Sequence, residues 1–252
     1  MQGINTTELV GNGLQKVAFP NLSRPPVKPT DDPTEDLVQW GMKVYAYSAT
    51  AHVRRMLEGL IQLAHAENIP VANVVSRHIF EWAAHTCYMS RNLGNHVRKQ
   101  EWGRAWSLLS RAVIGSVRIK QHGEKYEMPD AQLPSKVPDP LEVANIVGAY
   151  EQYLSQKHGK KSAKDNYGFL SELSHPNAAC LQQYHKHLAN PRDMEIAEAK
   201  PRVSPLPFVN WCLLDLLIFV GSLLEVSKET VVRPIVENLL SEIQRRAPAE
   251  RT

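Results

Sequence analysis

The chain lacks the motifs that mark the commonest enzyme classes. Its 252 residues hold no Gly-x-x-x-x-Gly-Lys-[Ser/Thr] loop, no Gly-x-Gly-x-x-Gly after a strand, no Gly-x-Ser-x-Gly elbow and no His-Glu-x-x-His pair. Those absences remove the usual P-loop ATPases, dinucleotide enzymes, serine hydrolases and zinc proteases. Cysteine is scarce as well. Cys87, Cys180 and Cys212 are odd in number, widely spaced and free of any Cys-x-x-Cys, which excludes a cysteine zinc site and a disulfide framework. The first residues have neither a basic segment nor a continuous apolar run of the secretory kind. A cytoplasmic chain with free thiols is therefore expected.

A large excess of one charge sign is missing too. The net charge is +3, which by itself requires no nucleic-acid partner. The most apolar run, WCLLDLLIFVGSLLEV over 211–226, is interrupted by Asp215 and closed by Glu225. A bilayer needs about 20 apolar residues, so this run reads as the buried central helix of a bundle, and no membrane partner is expected.

What is present is helical periodicity. Residues 1–33, rich in Pro, Asn and Thr, read as a mostly irregular arm, and 34–247 as one helical domain. DDPTED predicts a helix start with Asp32 as N-cap and Pro33 in the first turn. From there Val38, Met42, Tyr45, Ala49, Val53, Met56, Leu60 and Leu63 form one stripe. Further helices are expected at about 71–93, 100–121, from near Pro140 to Gly159, from Ser162 through YGFLSELS, at 206–226 and at 231–246. The proline-rich stretch 128–140 reads as a crossing linker. Residues 179–199 read as a short β-hairpin, with a helix over 178–188 as the competing assignment. The expected fold class is all-α: a bundle of about seven helices with that one hairpin.

Three features could carry chemistry. Arg77, Glu81 and His85 recur every four residues, which puts them on one helix face where Arg and Glu can pair. Asp215, on the most apolar helix, needs a partner or a raised pKa, and Arg77, His85 or His175 could supply one. A metal site from Glu81, His85, His175 and Asp215 would want a Glu-x-x-His pair that is absent, so no metal and no cofactor is expected. In the helix expected at 100–121, Arg104, Arg111 and Arg118 recur every seven residues, either as a solvated face or as a ridge facing nucleic acid.

The second feature, Arg91-Asn92-Leu93-Gly94-Asn95-His96, resembles the signature of HEPN domains, helical modules of prokaryotic toxins and antiviral systems, many of which cut RNA. The resemblance implies a base for the 2′-hydroxyl at His96, a cation for the phosphate at Arg91, an orienting role for Asn92 and a homodimer sharing its sites. The competing reading is a helix C-terminus, with Gly94 or Asn95 supplying the turn and Arg and His meeting the dipole. The third feature, Tyr167-x-x-Leu170-Ser171-x-x-x-His175 together with Arg77-x-x-x-Glu81, resembles a family of uncharacterised bacterial helical proteins thought to be distantly related to HEPN domains. No Arg stands four to six residues before His175, so a divergent site of Arg77, Glu81, His175 and Asp215 is the form it would take.

Two functions follow as expectations. One is a HEPN-like protein that binds or cleaves RNA without a metal, in a defence, toxin or mobile-element setting. The other is a non-catalytic helical interaction module whose polar residues hold the bundle together.

Overall fold

The computed structural model describes residues 2–25, 32–113, 141–159, 163–174, 185–187, 194–196 and 206–246. Among them are eight helices: α1 Gln2–Gln15, α2 Glu35–His65, α3 Ile69–Arg98, α4 Trp102–Val113, α5 Val143–His158, α6 Ala163–Ser174, α7 Leu206–Val226 and α8 Arg233–Arg246. Two strands, β1 His185–His187 and β2 Met194–Ile196, form an antiparallel ribbon with Lys186 opposite Glu195. The fold is all-α, and the ribbon falls inside the 179–199 segment. The 128–140 linker lies outside the described residues.

The extra helix is α1, where an irregular arm is expected. Its own pattern is thin: Thr7, Val10, Gly11 and Leu14 are buried, and Gly11 and Gly13 weaken its intrinsic propensity. Tertiary packing compensates. At Gly13 a Cβ would run into the side chain of Leu239 on α8, so the missing side chain is what lets the two helices approach. Thr7 Oγ1 also donates to Asn210 Oδ1 on α7 at 2.7 Å.

α3 and α7 form the centre. α3 packs against α2, α4, α5, α6 and α7, and α7 against α1, α2, α3 and α8. Phe80 is fully enclosed, as are Leu213, Leu216 and Met89; burying each such side chain contributes about 1.5–3 kcal/mol. Phe208–Val226 is long and apolar enough to cross a membrane by length and composition alone. In the bundle this segment is the helix with neighbours on most sides, which accounts for its apolar surface.

Helix boundaries depart from the sequence reading in a consistent way. α2 starts on Thr34, whose hydroxyl accepts from Leu37 N at 3.3 Å, and not on Asp32. Three helices end on a left-handed residue that is not glycine: Glu67 after α2, Gln100 after α3 and Lys228 after α7, with φ of 53°, 55° and 54°. Each end carries the paired backbone bonds of a Schellman motif. After α3 these are Gln100 N to Val97 O at 3.0 Å and Glu101 N to His96 O at 2.9 Å. The expected stop at Gly94 is therefore passed over. α5 does end on a glycine, Gly159, at φ 65°. The start of α6 is held by Glu151 of α5, whose Oε2 accepts from Ala163 N at 2.6 Å and Lys164 N at 3.2 Å.

Candidate functional site

Because α3 runs on to Arg98, the Arg91-Asn92-x-x-x-His96 segment lies wholly within a helix. Five residues at about 100° each place Arg91 and His96 about 140° apart around the axis, and the two side chains part company. Arg91 turns toward α5, where its Nη2 donates to Gln156 Oε1 at 3.4 Å. His96 turns toward α4. In this chain Arg91 and His96 thus make separate contacts.

His96 instead meets the arginines of α4. A surface groove of about 310 Å³ between α3 and α4 is lined by Tyr88, Asn92 and His96 from one helix and Arg104, Ser107 and Arg111 from the other. α4 turns Ala105, Leu108 and Leu109 into the core, which leaves Arg104 and Arg111, seven residues apart, on its outer face. Its seat on α2 is close: a Cβ at Gly41 would lie 3.0 Å from the Trp106 ring and 3.1 Å from Leu109 Cδ1. Arg118 lies outside the described residues. His96 Nδ1 and Glu101 Oε2 are 2.7 Å apart, and Glu101 Oε1 pairs with Arg104 Nη1 at 3.2 Å. The hydrogen bond from His96, with Arg104 adding to it, holds the Glu101 carboxyl below its ordinary range. Asn92 Nδ2 donates to Tyr88 O at 2.8 Å.

Of the divergent site, Arg77, Glu81 and Asp215 lie among the described residues. Arg77 Nε pairs with Glu81 Oε1 at 3.1 Å, as the spacing predicts, and its Nη2 donates to Tyr167 OH on α6 at 3.2 Å. Glu81 Oε2 also lies 3.2 Å from His78 Nδ1. His85 is apart from both: it stacks on Tyr45 and is hydrogen-bonded to the Tyr45 hydroxyl, and burial pushes its pKa down to about 4. His175 lies outside the described residues.

Asp215 is 3% exposed and faces α5. Its Oδ2 accepts from Tyr150 OH at 2.7 Å and its Oδ1 from Tyr153 OH at 3.3 Å, with Lys157 Nζ at 3.9 Å. Phe80 packs against a tyrosine from each set, its ring centroid 5.7 Å from that of Tyr167 and 5.5 Å from that of Tyr150. Two buried thiols, Cys87 and Cys212, are free; burial, the larger effect, pushes Cys87 up to about 12, which leaves it protonated and inert as a nucleophile. Among the described residues no group of three His, Cys, Asp or Glu side chains could hold a metal ion.

Sequence reasoning missed Glu101, Tyr150 and Tyr153. The two tyrosines carry a signal, since their three-residue spacing puts both on one face of α5. Glu101 carries none, because the chain turns a corner between it and His96 and helical spacing has no meaning across that corner. Fold and groove together define an all-α bundle with a basic, histidine-bearing surface groove. Comparison with protein-family models, curated proteins and solved structures finds no match for the chain.

Proposed function

We propose that the chain binds RNA through the groove between α3 and α4 and cleaves it there without a metal. The observation that carries this is the meeting of His96 and Asn92 with Arg104 and Arg111 in one open groove. Guanidinium groups recognise phosphate through paired N–H donors. An imidazole beside them supplies acid–base chemistry near neutral pH. In the reaction His96 takes the proton of a ribose 2′-hydroxyl. The 2′-oxygen then bonds to phosphorus while the bond to the 5′-oxygen breaks. The products are a 2′,3′-cyclic phosphate and a 5′-hydroxyl that takes its proton from solvent. Arg104 and Arg111 take the phosphate role that the resemblance to HEPN domains assigns to Arg91. That resemblance also supports a homodimer and a defence, toxin or mobile-element setting.

The test is incubation of the purified protein with single-stranded RNA and with total RNA in the presence of EDTA. Cyclic-phosphate ends are expected from the wild type, with the rate falling at least about 10²-fold in His96→Ala. Cleavage that persists in His96→Ala, or that EDTA abolishes, contradicts the proposal.

A second reading, a non-catalytic interaction module, draws on a different observation. Asp215 is enclosed by two tyrosines and Arg77 is paired with Glu81 and Tyr167, as expected of polar groups that fix a bundle's geometry. On this reading binding to protein partners replaces RNA cleavage.

A further inference from the structure

The three corners that end on a left-handed residue share a second property. In each, the next residue is polar and begins the approach to the following helix: Asn68 before α3, Glu101 before α4 and Glu229 before α8. Two of them do what such a position normally does, which is to satisfy the first amides of the helix. Asn68 Oδ1 accepts from Val71 N at 3.5 Å. Glu229 accepts from Val231 N, Val232 N and Arg233 N at 2.8–2.9 Å, and from Tyr47 OH.

Glu101 breaks the pattern. Its backbone carbonyl accepts from Ala105 N at 3.0 Å, as an N-cap should. Its side chain, however, makes no hydrogen bond to the amides of α4; both carboxylate oxygens are directed at His96 and Arg104. A residue that gives up its local capping role is the kind of departure expected where function competes with local structure. Geometry accounts for the reach. The Schellman turn at Gln100 brings the Glu101 amide to His96 O at 2.9 Å, so the two side chains emerge side by side. An ionised carboxylate only accepts hydrogen bonds, so the proton it meets at 2.7 Å must be on His96 Nδ1. In the neutral ring the lone pair then sits on Nε2, and among the described residues no hydrogen bond engages that atom.

We propose that Glu101 is a positioning residue for this groove, holding the His96 proton on Nδ1 and presenting Nε2 as the proton acceptor. The catalytic part of this rests on the RNA-cleavage reading; the tautomer does not. Glu101 has a second duty. Its other oxygen ties Arg104 at the same spot, so one carboxylate orients both the base and one phosphate-binding cation.

The experiment is two-bond ¹H–¹⁵N NMR of the histidine rings of the full chain, with Glu101→Gln and Glu101→Asn as variants. The second variant leaves a good N-cap, so α4 keeps its start. The wild type is expected to show His96 with Nδ1 protonated and Nε2 bare. Both variants are expected to lose that preference. In parallel, cleavage at saturating RNA should fall at least tenfold in both variants, a loss of turnover that mere helix capping would not produce. A wild-type His96 carrying its proton on Nε2, or variants that keep both tautomer and rate, overturns the proposal. If the wild type cleaves no RNA, the functional reading falls and the catalytic part of Glu101's role falls with it, while the tautomer measurement still decides whether Glu101 orients the ring.

Discussion

At the scale of single residues, the chain's polar side chains divide by what encloses them. Asp215 accepts from two tyrosines on a neighbouring helix, and removing it deprives Tyr150, 2% exposed, of the carboxylate that its buried hydroxyl donates to. Asp215→Ala is therefore expected to lower stability by about 2–4 kcal/mol, from the broken hydrogen bonds of buried groups. RNA cleavage per folded molecule should be unchanged; urea denaturation together with the cleavage assay checks both halves. His85 gives a pH signature. Its pKa lies at about 4 in the fold against an ordinary value of 6.5, so below the higher value the unfolded chain takes up the proton more readily. Stability therefore declines as pH falls from about 6.5 to about 4 and levels off below. Between about pH 7 and pH 5 the decline is on the order of 2 kcal/mol, and His85→Gln should flatten that dependence in denaturant titrations. Rising stability over that fall would contradict it.

At the scale of elements, the corners explain both what was legible in the sequence and what was not. The stripe from Val38 to Leu60 on α2 and the apolar run of α7 are readable because burial writes itself as spacing and composition. The end of α5 at Gly159 is readable because glycine adopts the left-handed region without strain. α3 is misread at Gly94, since its true stop uses Gln100, a residue with no stop signal, and the groove was hidden by that one boundary. With a helix ending at Gly94, His96 would sit in a turn; with a helix reaching Arg98, it faces α4. The non-glycine corners also have a cost that can be measured. Glu67 is exposed, at φ 53°, and has no side-chain hydrogen bond among the described residues. Glu67→Gly should raise stability by about 0.5–1 kcal/mol, read as a higher Tm; a lower Tm would show that the left-handed residue carries no strain. Close packing at Gly41 gives the opposite sign. Gly41→Val pushes against Trp106 and Leu109 and should destabilise by about 1–3 kcal/mol, with the displacement of α4 reducing RNA cleavage as well.

At the scale of the whole molecule, a net charge of +3 gives little long-range attraction for a polyanion, so RNA affinity has to come from where the charges sit. The groove concentrates Arg104 and Arg111 beside His96, while Arg77 is paired with Glu81 and Asp215 is enclosed in the bundle. The all-α bundle supplies the rigid seat, since α4 is anchored through its buried face to α2 and α3. The most direct measurement is the binding of a fluorescently labelled single-stranded RNA between about 50 and 200 mM salt, comparing the wild type with the Arg104→Ala, Arg111→Ala double variant. The wild-type Kd should rise steeply with salt. The double variant should bind at least tenfold more weakly, with a log–log slope shallower by about 1.4, which is about 0.7 for each phosphate on a single strand that the missing arginines no longer neutralise. Equal affinity and equal slope in the two proteins would contradict RNA binding in the groove.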